Sequence, residues 1–304
     1  MVKPQFTSFG RKGKEKINKE KEKFPEKVKK IIQESDILLE ILDARFPEET
    51  RNKEMENMIR KQGKKIIYVL NKADLLKSEK RCATASSNEQ FFQRSFLGVR
   101  NSPPCDFQRI SKSKIESSLN PSIFFSSKKR FGSRILRNLI KKQAREMEKD
   151  KINVGIVGYP NTGKSSIANI LIGKKSAGLS QQAGFTKGVQ KLKLMRGIYL
   201  LDSPGVIPEK EYSIPNRIFL NKHVEIGVRT YDKIKEPEIA VASLMKKYPN
   251  IIEEFYQIEA NGDSEILING LGKKKNFLIK GGQIDEDKTS RLILRDWQEG
   301  KIKI

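Results

Sequence analysis

The chain has 304 residues, 37% of them hydrophobic, enough to bury a real core and long enough for a main domain with a smaller one beside it. Its formal net charge of +24 exceeds what solubility needs and points to phosphate backbones or anionic surfaces, with nucleic acid the leading partner class. No apolar run approaches the ~20 residues that span a bilayer, and Cys82 and Cys105 form neither a metal-spacing pattern nor a disulfide framework, so a cytoplasmic protein without a membrane partner is expected.

In chain order, residues 1–30 are a lysine-rich arm with Glu15, Glu20, Glu22 and Glu26 interspersed, read either as a solvated helix or as a disordered segment that grips RNA. The start has no apolar signal core, and its glutamates disfavour a transit peptide. From Ser35 onward apolar runs alternate with helical patterns. Strands are expected at 37–42, 65–70 and 123–125, then a helix over 134–147 with Ile135, Leu136, Leu139 and Ile140 on one side. A strand at 152–157, a helix at 164–172 and strands at 189–195 and 198–201 complete the set. The alternation predicts an α/β domain over 31–208, with a mostly parallel sheet and helices on both faces. Residues 82–120, rich in Ser and Asn with Pro103-Pro104, read as a surface insertion of no assigned role. After Pro208 the pattern turns helical and charged, so 209–304 is expected to be a small, mainly helical domain that docks on RNA.

Gly158-Tyr159-Pro160-Asn161-Thr162-Gly163-Lys164-Ser165 fits G-x-x-x-x-G-K-[ST] between a buried strand and a helix start, the P-loop context. Backbone N–H groups of Asn161, Thr162 and Gly163, with Ser165 and Ser166 at the helix start, would cradle phosphates. Lys164 should reach the β- and γ-phosphates, and the Ser165 hydroxyl should ligate Mg²⁺. Asn71-Lys72-Ala73-Asp74, after the second strand, supplies the base reader. Asp74 would accept from the N1–H and the exocyclic amino group of guanine, a pairing adenine cannot offer. The Lys72 stem would cover one face of the base, and Asn71 would tie this loop to the phosphate loop. Asp202-Ser203-Pro204-Gly205 ends the last strand, with Asp202 on Mg²⁺ and the Gly205 N–H on the γ-phosphate. Thr186, in Gly184-Phe185-Thr186-Lys187, would join the metal shell when a γ-phosphate orders its loop. Ser126-Ser127-Lys128 is the least specific match, a small-residue loop for the guanine oxygen. Lys164, Thr186 and Gly205 are the residues expected to touch the reacting phosphate.

These motifs run in the order base loop, second guanine loop, P-loop, threonine loop, DSPG, a G domain cut after DSPG with its old ends joined near 134–151. A ligand at the carboxyl ends of strands depends on the loops' arrangement in space, so permutation preserves the site. With Asp43-Ala44-Arg45-Phe46-Pro47, GFT, Lys280-Gly281-Gly282-Gln283-Ile284-Asp285 and Asp296-Trp297-Gln298-Glu299-Gly300-Lys301, the chain resembles the circularly permuted GTPases of the YlqF/YawG family from about residue 25 onward, apart from 82–120. The resemblance implies hydrolysis of GTP to GDP coupled to ribosome assembly, usually of the large subunit, with rRNA and a subunit precursor as partners. It also makes Asn161 a candidate K⁺ ligand, set against an asparagine that merely caps its turn.

Val206 stands where a Ras-like enzyme carries the water-orienting glutamine, so slow intrinsic hydrolysis is expected. Lys246-Lys247 and Lys273-Lys274-Lys275 are candidate rRNA contacts, against the plain reading of solvated surface. His223, the single histidine, reads as incidental, and Trp297 as a packing anchor of the terminal helix. The reading is a monomeric, RNA-associated GTP switch. Its rivals are a GTP-dependent checkpoint protein that hydrolyses little and a GTPase acting on tRNA or membranes.

Overall fold

A computed structural model describes residues 26, 28–76, 119–173, 190–203, 205–208, 211 and 217–304. Thr186, Pro204, Cys82, Cys105, most of the 82–120 segment and nearly all of the N-terminal arm lie outside the described residues.

Six strands form one sheet: β1 (Ile37–Asp43), β2 (Lys65–Asn71), β3 (Ser122–Phe124), β4 (Ile152–Gly158), β5 (Gln190–Met195) and β6 (Ile198–Asp202). Their order is β3-β2-β1-β4-β6-β5, parallel throughout except where β5 returns antiparallel on β6. The central strand β1 is flanked on both sides and buried along its whole length, the physical reason that it is mostly apolar. Successive residues alternate faces. Ile37, Leu39 and Ile41 join Ile67, Val69, Val154 and Ile156 against α3 (Ser133–Arg145) and α4 (Lys164–Ile172). Leu38, Leu42, Ile66, Tyr68 and Leu70 meet α1 (28–34) and α2 (Lys53–Lys61) on the opposite face. The sequence pattern did not reveal α1 and α2. In α1 the buried triplet Val28, Ile31 and Ile32 is hidden among lysines, so the expected arm of 1–30 runs into a core helix.

The remaining helices are α5 (Arg217–Glu225), α6 (Pro237–Lys247), α7 (Ile251–Tyr256), α8 (Ser264–Lys275) and α9 (Glu286–Gln298). They enclose a core of their own around Trp297, which is fully buried and donates its indole N–H to the Glu225 carbonyl at 3.0 Å. Phe46 and Tyr159, from the loops after β1 and β4, complete that core. Trp297 stacks on Phe46 with ring centroids 6.2 Å apart and meets Tyr248 at 5.0 Å. The helices therefore rest on the carboxyl edge of the sheet, where α/β folds place their ligands. Lys247, half-exposed, is paired within the chain: its ammonium meets Glu225 at 2.6 Å and Glu49 at 3.4 Å.

Glu40 interrupts β1's apolar run. It is fully buried on the α2 side, where one carboxyl oxygen accepts from the Asn52 N–H at 3.0 Å and the other has no hydrogen-bond partner. Burial first, and then the nearby Glu56 carboxylate, push its pKa from 4.5 up to about 8. A folded-state pKa above the unfolded one means that the protonated carboxyl's contribution is complete below the unfolded value and is lost as pH rises through about 8. Urea melts of the wild type and of Glu40→Gln between pH 5 and about 8.5 should therefore show the variant gaining on the wild type as pH rises. A pH-independent gap would refute the assignment.

Candidate nucleotide site at the carboxyl edge

β2 ends at Asn71, and the chain turns sharply because Lys72 takes a left-handed backbone, φ 61°, before a short 3₁₀ turn over Ala73–Leu75. The Ala73 N–H bonds the Phe125 carbonyl at 3.1 Å, which lays this loop beside the one after β3. There the Ser126 hydroxyl donates to Asp74 Oδ1 at 2.5 Å and accepts from the Lys129 N–H at 3.0 Å. The Asp74 carboxylate is thus held between the two loops expected to read guanine. Lys72 sends its ammonium to Asp43 Oδ2 at 2.9 Å. Arg45 grips the same carboxylate through Nε at 3.1 Å and Nη2 at 2.9 Å and bonds the Trp297 carbonyl at 3.1 Å. Lys72 and Arg45 together hold the Asp43 pKa far below the usual carboxylate range despite complete burial.

Asn71 joins the two halves of the chain. Its Nδ2 donates to the Thr162 carbonyl at 2.7 Å, while its Oδ1 accepts from the Ser127 N–H at 3.2 Å and the Ser127 hydroxyl at 3.0 Å. The turns after β2 and β3 and the P-loop meet at this one amide.

Between β4 and α4 the backbone has positive φ at Gly158, Asn161 and Gly163, the concave shape in which consecutive N–H groups form an anion nest. Thr162 Oγ1 donates to the Tyr159 carbonyl at 2.9 Å and pins the loop's crest. Lys164 is buried beneath it and donates to the same carbonyl. Burial lowers its pKa to about 8, against the pull of Asp202 in the other direction. Asp202, at the end of β6, has its pKa raised by burial, with Lys164 and a hydrogen bond from Ser165 opposing. Its Oδ1 is buried without a hydrogen-bond partner, as is the Ser203 hydroxyl. An orphaned carboxylate oxygen beside a serine hydroxyl is a donor set that suits Mg²⁺. Gly205 lies over the P-loop: a Cβ there would stand 2.6 Å from Pro160 Cα and 2.9 Å from Lys164 Nζ, so only glycine lets the DSPG segment pass. Ser166 is partly buried in the first turn of α4, and Lys128 is exposed. Thr186 falls outside the described residues.

Two contacts tie the P-loop to the helical region, and sequence reasoning missed both. Asn161 donates its amide to the Gly227 carbonyl at 2.7 Å. The Tyr159 hydroxyl donates to Glu211 at 2.8 Å, and the same carboxylate binds Lys222 at 2.6 Å and His223 at 2.8 Å. His223 is therefore not incidental. With His223, Lys222 and Tyr159 all bonded to it, Glu211 stays ionised, its pKa brought down to about 2. The sequence showed a lone histidine but not its partner twelve residues upstream.

Comparisons with known proteins bear on the fold. In the solved GNP-bound YlqF from T. maritima the same fold covers 92% of this chain and 95% of that one, with a TM-score of 0.56 at 23% identity, and the GDP-bound YlqF structure gives 0.54 at 22%. The chain shares the fold of these YlqF structures. Residues 153–268 match the family described as 50S ribosome-binding GTPase, a match that starts within β4 and leaves the base loop upstream of it, as a permuted order requires. A GTP-binding protein of Methanocaldococcus jannaschii is 37% identical over 279 residues, covering 90% of this chain and 65% of that protein. Nucleolar GTP-binding protein 2 of Saccharomyces cerevisiae is 32% identical over 277 residues, 90% of this chain and 51% of that protein. The chain thus spans about half to two thirds of these relatives' lengths.

The Asn71 junction makes a sharp prediction. Gly163 has φ +96°, and a Cβ there would stand 2.2 Å from Asn71 Nδ2, whereas Gly173, at the other end of α4 with φ +77°, has nothing within 4 Å. Both Ala substitutions share the left-handed backbone cost, so Gly163→Ala should destabilise by about 1–3 kcal/mol more than Gly173→Ala, the cost of breaking a buried amide junction. Equal losses in chemical melts would show that Asn71 does not hold the loops.

Proposed function

We propose that the chain binds GTP with Mg²⁺, hydrolyses it slowly to GDP, and acts as a nucleotide-dependent switch on an RNA-containing precursor of the large ribosomal subunit. The observation that carries the nucleotide reading is the Asn71 amide on the Thr162 carbonyl, since it brings a guanine-type loop and a phosphate-type loop to one place. The ribosomal part is supported by the 50S ribosome-binding family match and by relatives named nucleolar GTP-binding protein 2. The net charge of +24 supports an RNA partner.

In this reading Asp74, with Ser126, Ser127 and Lys128, reads the guanine edge, while Lys72 lies along the base. The nest from Asn161 to Gly163, with Lys164, Ser165 and Ser166, holds the phosphates. Ser165, Asp202 and Thr186 would hold Mg²⁺, which when bound neutralises charge on the β- and γ-phosphates. Lys164 places a cation on those phosphates, and the Gly205 N–H donates to the γ-phosphate. Val206 offers no side-chain hydrogen bond to a water, so turnover is slow until a partner supplies the missing positioning group. The same residue favours a second reading, a GTP-dependent checkpoint that hydrolyses little. Stimulation of GTP turnover by large-subunit particles separates the two.

The domain division follows from this reading: a basic arm over 1–30, a permuted G domain over 31–208 and a docking region over 209–304, working as a cytoplasmic monomer. A K⁺ ligand at Asn161 would have to share its side chain with the Gly227 contact. Equal turnover in Na⁺ and K⁺ would remove K⁺ from the scheme.

Asp74→Asn exchanges acceptor for donor, so GTP affinity should fall by ~10⁴ while xanthosine triphosphate gains. Unchanged GTP affinity would sink the base assignment. Phosphates arriving at Lys164 should raise its pKa from about 8, so binding at pH 8.5–9 takes up a proton. Calorimetry in buffers of different ionisation enthalpy should detect that uptake, and Lys164→Met should abolish it.

A further inference from the structure

The join helix α3, SRILRNLIKKQAR, carries Arg134, Arg137, Lys141, Lys142 and Arg145 and not one acidic residue. Its buried side is Leu136, Ile140 and Ala144. At ~100° per residue Arg134, Asn138, Lys141, Lys142 and Arg145 fall on a single outward arc, and all are exposed. The stripe runs about 16 Å at ~1.5 Å per residue. Lys128, Lys129 and Arg130, in the loop just before the helix, are exposed as well.

Among the described residues, none of these outward cations forms a salt bridge. Glu146, which follows the helix, is bonded to Lys65 at 2.5 Å and interacts with Lys142 only at longer range; it lines one shallow depression with Asn138, Lys141, Lys142 and Arg145. Two other surface helices set acids among their cations: α2 places Glu54 and Glu56 in its first turn, and α9 pairs Asp287 with Arg291 at 2.7 Å. A helix that repels itself along a whole face departs from the local pairing seen elsewhere in the chain, the mark of a surface kept for a polyanion.

We propose that the outward face of α3 is a second RNA-binding surface, on the G domain itself, which takes the phosphate backbone of double-helical RNA. The proposal rests on the RNA-partner reading above and assigns it a site. The face fits RNA better than a protein. The exposed large hydrophobic residues among the described ones, Ile239, Phe255, Ile266, Leu278 and Ile279, all lie in the helical region, so this face lacks the apolar centre of a protein interface. It also has no aromatic side chain on which unpaired bases would stack, which favours a duplex over a single strand.

The test uses the full chain and a labelled double-helical RNA hairpin, titrated by anisotropy across a salt series. In the triple variant Lys141→Gln, Lys142→Gln, Arg145→Gln, the slope of log K against log salt should fall by about two to three and affinity by tenfold or more at low salt, because each neutralised phosphate contributes about 0.9 to the slope. A control with the same charge change on the opposite face of the sheet, Lys29→Gln, Lys53→Gln, Lys61→Gln, should keep the wild-type slope. Equal melting temperatures establish that both variants fold. A triple variant that binds as the wild type does, or a control that loses as much, overturns the α3 surface and leaves the RNA reading standing. No salt-dependent binding by the wild type sinks the RNA reading itself. Loss of binding to polyglutamate or to phosphatidylserine vesicles, with RNA binding intact, would show that the surface serves a different polyanion.

Discussion

The architecture of this site depends on one side-chain amide. Asn71 sits at the end of β2, is almost wholly buried, and spends its donor on the Thr162 carbonyl and its acceptor on Ser127. A buried amide is costly unless its partners are present, so each of the three loops is held by the requirement to satisfy the others. Gly163 follows from the same constraint, because any side chain there would occupy the space of the amide. In a permuted chain no short covalent path connects base loop and phosphate loop, since 91 residues separate Asn71 from Thr162. A non-covalent junction does that work.

The helical region is not a loosely tethered appendage. It closes over the carboxyl edge of the sheet with an aromatic cluster of Phe46, Tyr248 and Trp297, and with a buried polar network centred on Glu211. Both reach residues adjacent to the site: Phe46 follows the Asp43–Arg45 pair, and Tyr159 is part of the P-loop. A buried ion network of this kind adds little net stability but is expensive to break piecemeal, about 3–5 kcal/mol for removal of one partner. The P-loop crest and the helices are therefore joined directly through Tyr159 and Asn161.

Much of the fold was legible because its signals are local. Strands β1, β2 and β4 are predominantly apolar, and each observed strand ends within a residue or two of its expected boundary. The glycines and the lysine of the P-loop, and the NKAD turn, announce themselves because their chemistry tolerates few other residues. Helices α1 and α2 were missed because their apolar residues are sparse and set among charges, and only the sheet they cover makes them helices of the core. The partners of Lys72, Lys247 and His223 were missed for a different reason. Asp43, Glu225 and Glu211 are acidic residues like any others until folding removes water from around them.

The sequence by itself determined the order of the strands along the chain, the mostly parallel class of the sheet and the place of the P-loop, since periodicity and backbone-special residues are written into short stretches of chain. It also carried the permutation, which is a matter of motif order alone. Only the tertiary structure decided which polar groups became partners: Asn71 with Thr162, Glu211 with His223, and the outward cations of α3 in no salt bridge among the described residues. Pairing depends on distance and burial, and both exist only once segments remote in the chain have been packed together.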